Sequence, residues 1–179
     1  LACACRDQGA EVLLISGPCQ LESPESVERI NVISALDMHK TVMTQLEQSC
    51  DIFIASAAVA DYRPLHLADK KIKKTGQADM NITLCQNPDI VASVASVPNR
   101  PFTVGFAAET NDLLRYAKGK LQKKNLDMII ANDVSNPLIG FNSEQNEVYV
   151  ITESEQIKLD QQSKSTLSNK IVNLIIQHI

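Results

Sequence analysis

The chain has 179 residues, 44% hydrophobic and 21% charged, with a formal net charge of −4 at pH 7. That length is enough for one domain with its own core, and the composition is globular rather than disordered. The mildly acidic balance excludes nucleic-acid binding driven by bulk charge, so an anionic partner must be met by a local basic patch.

In chain order, residues 1–9 read as a short helix ended by Gly9, and "EVLLISG" (11–17) reads as a buried strand. A strand–helix repeat that opens on a helix predicts a further strand upstream of Leu1. After a polar stretch holding Pro18 and Pro24, "RINVI" suggests a short strand. Ser34 is placed to cap a helix running to about Gln48, with Val42 and Leu46 among its apolar face. "DIFIASA" (51–57) is a buried strand, and residues 62–80 form a long, polar, lysine-rich segment of the kind that serves as a functional lid or a linker. "NITLCQ" (81–86) alternates like a half-exposed strand. In "NPDIVASVASV", Asn87 is expected as N-cap, with Pro88 at the first helical position and Asp89 in the first turn. "FTVGFAAE" is a strand, Thr110 is placed to cap the helix through residue 125, and "LDMIIAND" is another buried strand. A turn-rich loop then leads to an antiparallel pair, 146–152 and 155–160, and an amphipathic helix occupies 164–178.

Apolar strands alternating with helices predict the α/β class, with a mostly parallel sheet covered on both faces and a C-terminal antiparallel pair. Ligands of such sheets sit outside the carboxyl ends of the strands. Here that means the stretches after Ala57, around Phe106–Glu109 and after Asn132, which suit a nucleotide. Asp61 could accept from a ribose hydroxyl or a base amine; equally, it could cap a turn and pair with Arg63. Lysines 70, 71, 73 and 74 are either a solvated surface or flexible charges that close over phosphate and exclude water. "NPDIV" offers a helix N-terminus, which favours an anion. Lys118, Lys120, Lys123 and Lys124 are a basic patch or a complement to their helix's dipole. Phe106 could stack on a base or belong to the core.

No metal-ligand spacing is visible: His39, His66 and His178 are scattered, and there is no glycine-rich dinucleotide or P-loop fingerprint. The cysteines, at 3, 5, 19, 50 and 85, include no C-x-x-C pair and read as reduced packing residues of a cytoplasmic protein. The longest apolar run, 52–60, is far short of the ~20 residues of a membrane span, and the N-terminus lacks signal-peptide features.

"SGPCQL", "SAAVADYRP", "KIKK", "NPDIV", "GFAAET", "KNLDMIIANDVS" and "GFNSEQNEV" occur in the order and approximate spacing of one family. Together they resemble the bacterial phosphopantothenoylcysteine synthetase domain, the C-terminal half of a bifunctional coenzyme A biosynthesis flavoprotein. The resemblance covers nearly the whole chain and implies a single Rossmann-like three-layer nucleotide-binding ligase domain over 1–179, with its first strand and Gly-containing loop expected upstream of residue 1. It implies that CTP activates 4′-phosphopantothenate as an acyl-cytidylate, which the amine of L-cysteine then attacks. It puts Ala57, Asp61, Lys71, Pro88, Asp89, Ile90, Val91, Phe106, Lys120 and Lys124 at CTP-contacting positions, with Lys71 catalytic on a closing loop. Mg²⁺ would accompany CTP, and FMN would belong only to the decarboxylase half, outside this chain. An upstream Asn-x-Ser-Ser-Gly-Lys-Met-Gly motif would serve conversion of the intermediate. The family also implies an oligomer, with a dimer expected through the 146–160 edge, and no nucleic-acid or membrane partner. Two other readings are a non-catalytic nucleotide-binding or assembly module and an NAD(P)-dependent oxidoreductase of similar sheet type.

Overall fold

The computed structural model describes residues 1–73, 79–109, 112–134 and 143–179. Its central sheet has five strands: β3 (Ile52–Ala55), β6 (Phe102–Glu109), β7 (Met128–Asp133), β8 (Gln145–Ile151) and β9 (Gln156–Ser163), in that spatial order. β3, β6 and β7 run parallel, and β8 and β9 add the expected antiparallel pair. A separate parallel pair joins β1 (Leu13–Ser16) to β2 (Glu28–Asn31), and an antiparallel pair joins β4 (Tyr62–Pro64) to β5 (Leu84–Gln86).

Side-chain alternation along β6 assigns the layers. Val104 and Phe106 pack with Met128, Ile130 and the Leu167, Ile171 and Ile175 face of α5 (Lys164–Ile176). Ala107 points the other way, onto Ala117 and Leu121 of α4 (Leu113–Lys123). Phe53 of β3 shares that second face, under Val42 of α2 (Ala35–Gln45) and Ile90 and Val94 of α3 (Ile90–Ala95). So α2, α3 and α4 cover one face. On the other lie α5 and α1 (Ala2–Asp7), whose flanking Leu1 joins the α5 cluster. The α/β class and its three layers are as expected from the sequence.

Local signals explain several ends. Gly9, at φ 87°, closes α1 as its amide bonds the Arg6 carbonyl and that of Ala10 bonds Cys5, the pattern of a Schellman cap. Ser34 caps α2 in a full capping box with Asp37. Thr110, expected to cap α4, lies outside the described residues; the observed N-cap is Asp112, in a left-handed conformation with no side-chain cap bond. The start of α3 differs too: its N-cap is Asp89, not Asn87, with the Asp89 carboxylate accepting from the Ala92 amide at 3.1 Å. Asn87 is drawn away by tertiary partners, described below.

Among the described residues, β1 pairs only with β2 and β3 only with β6, although Ile15 of β1 and Phe53 of β3 pack in one cluster beneath α2. β3 is accordingly half-buried throughout rather than buried.

Candidate functional site

β3 ends at Ala55, earlier than its apolar run suggests, and residues 56–61 continue as an exposed shelf at its carboxyl end. Ala57 and Asp61 both lie on it. Asn87 fastens this shelf to the start of α3. Its Nδ2 donates to the Ala60 carbonyl at 2.8 Å, and its backbone amide donates to the Asp61 carbonyl at 2.8 Å. Arg63 completes the latch, donating to the Gln86 carbonyl at 2.6 Å and to Asn87 Oδ1 at 3.1 Å. The alternative in which Arg63 pairs with Asp61 is therefore not what forms, and the Asp61 carboxylate has no ion-pair partner among the described residues.

The latch leads directly to the lysines of α4. Lys124 Nζ lies 3.0 Å from Asp89 Oδ2, and Lys120 Nζ lies 2.6 Å from Glu109 Oε1 at the carboxyl end of β6. Lys120 lies in the last turn of α4, and Lys124 is that helix's C-cap four residues on. Asp89, Glu109, Lys120 and Lys124 thus form one polar border that continues through Asn87 to Ala57–Asp61. Partial burial pushes the Asp89 carboxyl upward, but the Ala92 amide and the Lys124 ammonium outweigh it and hold the group below the usual carboxylate range. Because α3 is only six residues long and its first turn is already served by that carboxylate, its end offers less to a phosphate than the sequence suggests. The cationic side chains of α4 are the stronger anion-attracting feature.

Pro88 and Val91 are half-buried, and Ile90 is core, packed with Val42 and Val94. Phe106 is apart from this border: it points to the α5 face and packs in the core cluster there, so only its backbone is shared with the α4 side. Lys71 is exposed on the segment between β4 and β5, without an ion pair among the described residues, and Lys74 lies outside them. Sequence reasoning did not single out Asn87 or Glu109 as site residues. The capping-type asparagine before Pro88 and the acid ending a buried strand were the available signals. Among the described residues, no group of three or more His, Cys, Asp or Glu could hold a metal ion, and no helix is long and apolar enough to cross a membrane.

The cysteines fill the packing role expected of them only in part: Cys5, Cys50 and Cys85 are half-buried, Cys3 and Cys19 are exposed, and all are free. Cys19, past the carboxyl end of β1, has Arg29 Nη2 at 3.2 Å and the Ser16 hydroxyl at 3.7 Å.

Comparison with known proteins adds lineage to this geometry. The model of the DNA/pantothenate metabolism flavoprotein C-terminal domain matches residues 1–179. The coenzyme A biosynthesis bifunctional protein CoaBC of Vibrio parahaemolyticus is 54% identical over 174 residues, covering 96% of this chain and 43% of that protein. The Escherichia coli K12 protein of the same name is 43% identical, covering 98% of this chain and 44% of its own length. This chain therefore spans less than half of these relatives. A crystal structure of the C-terminal domain of a CoaBC protein superposes with a TM-score of 0.79 at 32% identity, covering 97% of this chain and 77% of that one. The chain belongs to the family of the DNA/pantothenate metabolism flavoprotein C-terminal domain.

Proposed function

We propose that this chain is a CTP-dependent ligase domain that joins 4′-phosphopantothenate to L-cysteine in coenzyme A biosynthesis. The observation that carries this reading is the continuous border from the 56–61 shelf through Asn87 and Asp89 to Lys124 and Lys120. Its shelf of small residues can receive a base and sugar, and its lysines can receive a polyphosphate. In the first step a carboxylate oxygen of 4′-phosphopantothenate attacks the α-phosphorus of CTP, and the bond to the β-phosphate breaks to release pyrophosphate. In the second, the cysteine amine attacks the acyl carbon, loses a proton and displaces CMP. Lys120 and Lys124 would screen the repulsion between carboxylate and triphosphate and favour the leaving pyrophosphate. Asp61 would accept from the ribose or base, the backbone around Pro88–Val91 and Phe106 would line the nucleotide, and Lys71 would close over the acyl-cytidylate.

Asp89 and Glu109 are engaged by lysines, and among the described residues no group of three or more His, Cys, Asp or Glu could hold a metal ion. Mg²⁺ would arrive with the substrate, carried by the nucleotide's own phosphates. The relatives are bifunctional proteins, so a fused decarboxylase half, with FMN confined to it, is part of the proposal. An additional strand from that upstream region would fit between the free edges of β1 and β3. A homodimer is proposed as well. The exposed Tyr62 and Leu84 of the β4–β5 pair suit it better than the outer edge of β9, where Lys158 and Asp160 present charge.

The test is pyrophosphate release by the polypeptide extended upstream, supplied with 4′-phosphopantothenate and either CTP or ATP. CTP should support release and ATP should not, and Lys71→Gln should slow the CTP reaction. Equal use of the two nucleotides, or no CTP-dependent release, overturns the assignment.

A further inference from the structure

The lysines on this border are not waiting unpaired. Lys120 Nζ is held 2.6 Å from Glu109 Oε1, and the two partners differ in setting: the Glu109 side chain is 20% exposed and the Lys120 side chain 44%. Glu109 is also fixed by its backbone. It ends β6 in register with Asp133 of β7, and its carbonyl accepts from the Val134 amide at 3.1 Å. Lysine, by contrast, carries its charge on a flexible four-carbon stem. When an anion competes for this pair, the ammonium moves and the carboxylate stays.

That asymmetry has a consequence for a polyphosphate. Drawing Lys120 onto phosphate leaves the Glu109 carboxylate in place, half-buried, stripped of its partner and close to a second anion. Both effects oppose binding, and both vanish when the anion departs and Lys120 returns. We infer that Glu109 is a positioning residue for Lys120 that recaptures the ammonium after pyrophosphate forms, weakening the hold on inorganic pyrophosphate and speeding its release. This rests on the nucleotide reading above. It adds to it a role for a residue that touches neither nucleotide nor acyl group. Lys124 is held differently, because the Asp89 carboxylate also caps α3 and so keeps one hydrogen bond when the lysine leaves.

The test is calorimetric titration of the full-length polypeptide with inorganic pyrophosphate, beside pyrophosphate inhibition of the CTP reaction. Glu109→Gln should tighten pyrophosphate binding about fivefold, the scale of a partly exposed ion pair, and strengthen product inhibition equally. Glu109→Asp should restore most of the wild-type value. Adding Glu109→Gln to Lys120→Gln should tighten pyrophosphate binding less than in the wild-type background, because only the direct repulsion between carboxylate and anion is left to relieve. Unchanged or weaker pyrophosphate binding in Glu109→Gln overturns the inference, as does equal tightening in the Lys120→Gln background. If the wild type binds both CTP and pyrophosphate but fails these comparisons, only the role of Glu109 falls. If it binds neither, the nucleotide reading falls and the inference with it.

Discussion

At Cys19, neighbours rather than composition decide the chemistry. The Ser16 hydroxyl, aided by the Arg29 guanidinium, holds this exposed thiol below its ordinary pKa, whereas burial pushes the thiols of Cys5 and Cys50 up. Since the thiolate is the nucleophile, Cys19 should react with iodoacetamide near neutral pH well before Cys5 or Cys50. Peptide mapping after brief alkylation checks this, and faster labelling of either of the other two would contradict it. "SGPCQL" holds Ser16 three residues before that thiol, but Arg29 arrives from the neighbouring strand and cannot be read from the segment. Asn87 teaches the same lesson. Both it and Asp89 are good N-cap residues, and only the Ala60 and Asp61 carbonyls, which the sequence leaves far away, decide which one caps α3.

Among the elements, the junction of β6 with the loop entering β7 shows how tightly the site's supports are packed. A Cβ built on Gly105 would lie 2.6 Å from Leu126 Cδ1, so glycine here permits close approach between strand and loop. Gly105→Ala should destabilise the fold by about 1–3 kcal/mol through overpacking, read from urea unfolding midpoints. A neutral substitution would show that Leu126 can turn aside freely. The long periodic elements, α2, α4, α5, β6 and β7, were legible in the sequence because hydrophobic spacing alone specifies them. Short elements with an apolar pattern or a turn signal, α1, β1, β2 and β5 among them, were legible too; β4 was not, because it has three residues and its pairing with β5 is a tertiary event with no local pattern. The apolar run 52–60 also misleads about length, because small alanines past Ala55 are equally compatible with an exposed shelf.

For the molecule as a whole, the end of the sheet opposite the candidate site carries a structural ion pair. Arg100 grips Asp127 with both terminal guanidinium nitrogens, Nη1 and Nη2, and Asp127 also accepts from the Thr103 amide at 2.7 Å. Burial raises the Asp127 carboxyl's pKa, but the Arg100 and Thr103 hydrogen bonds more than offset this, so its net shift is downward. A carboxyl depressed on folding contributes stability that is present above its unfolded value, near 3.9, and lost as pH falls through the folded one. Asp127→Asn should therefore lower stability at pH 7 by about 1.5–3 kcal/mol, as expected for hydrogen bonds to a charged group, and flatten the decline below about pH 4. Thermal unfolding across pH 2–8 checks both, and an unaltered acid limb would contradict the assignment. Three-layer α/β architecture was readable from alternation, whereas the lack of β1–β3 pairing among the described residues was not, since it depends on which strands are neighbours in space.

The central claim, that the border joining the 56–61 shelf to Lys120 and Lys124 is a CTP site, is tested most directly by a crystal structure with CTP bound. It should show the base and sugar against Ala57–Asp61, the triphosphate beside Lys120 and Lys124, and Lys120 drawn away from Glu109. Nucleotide bound elsewhere, with both lysines still on their acids, would contradict it.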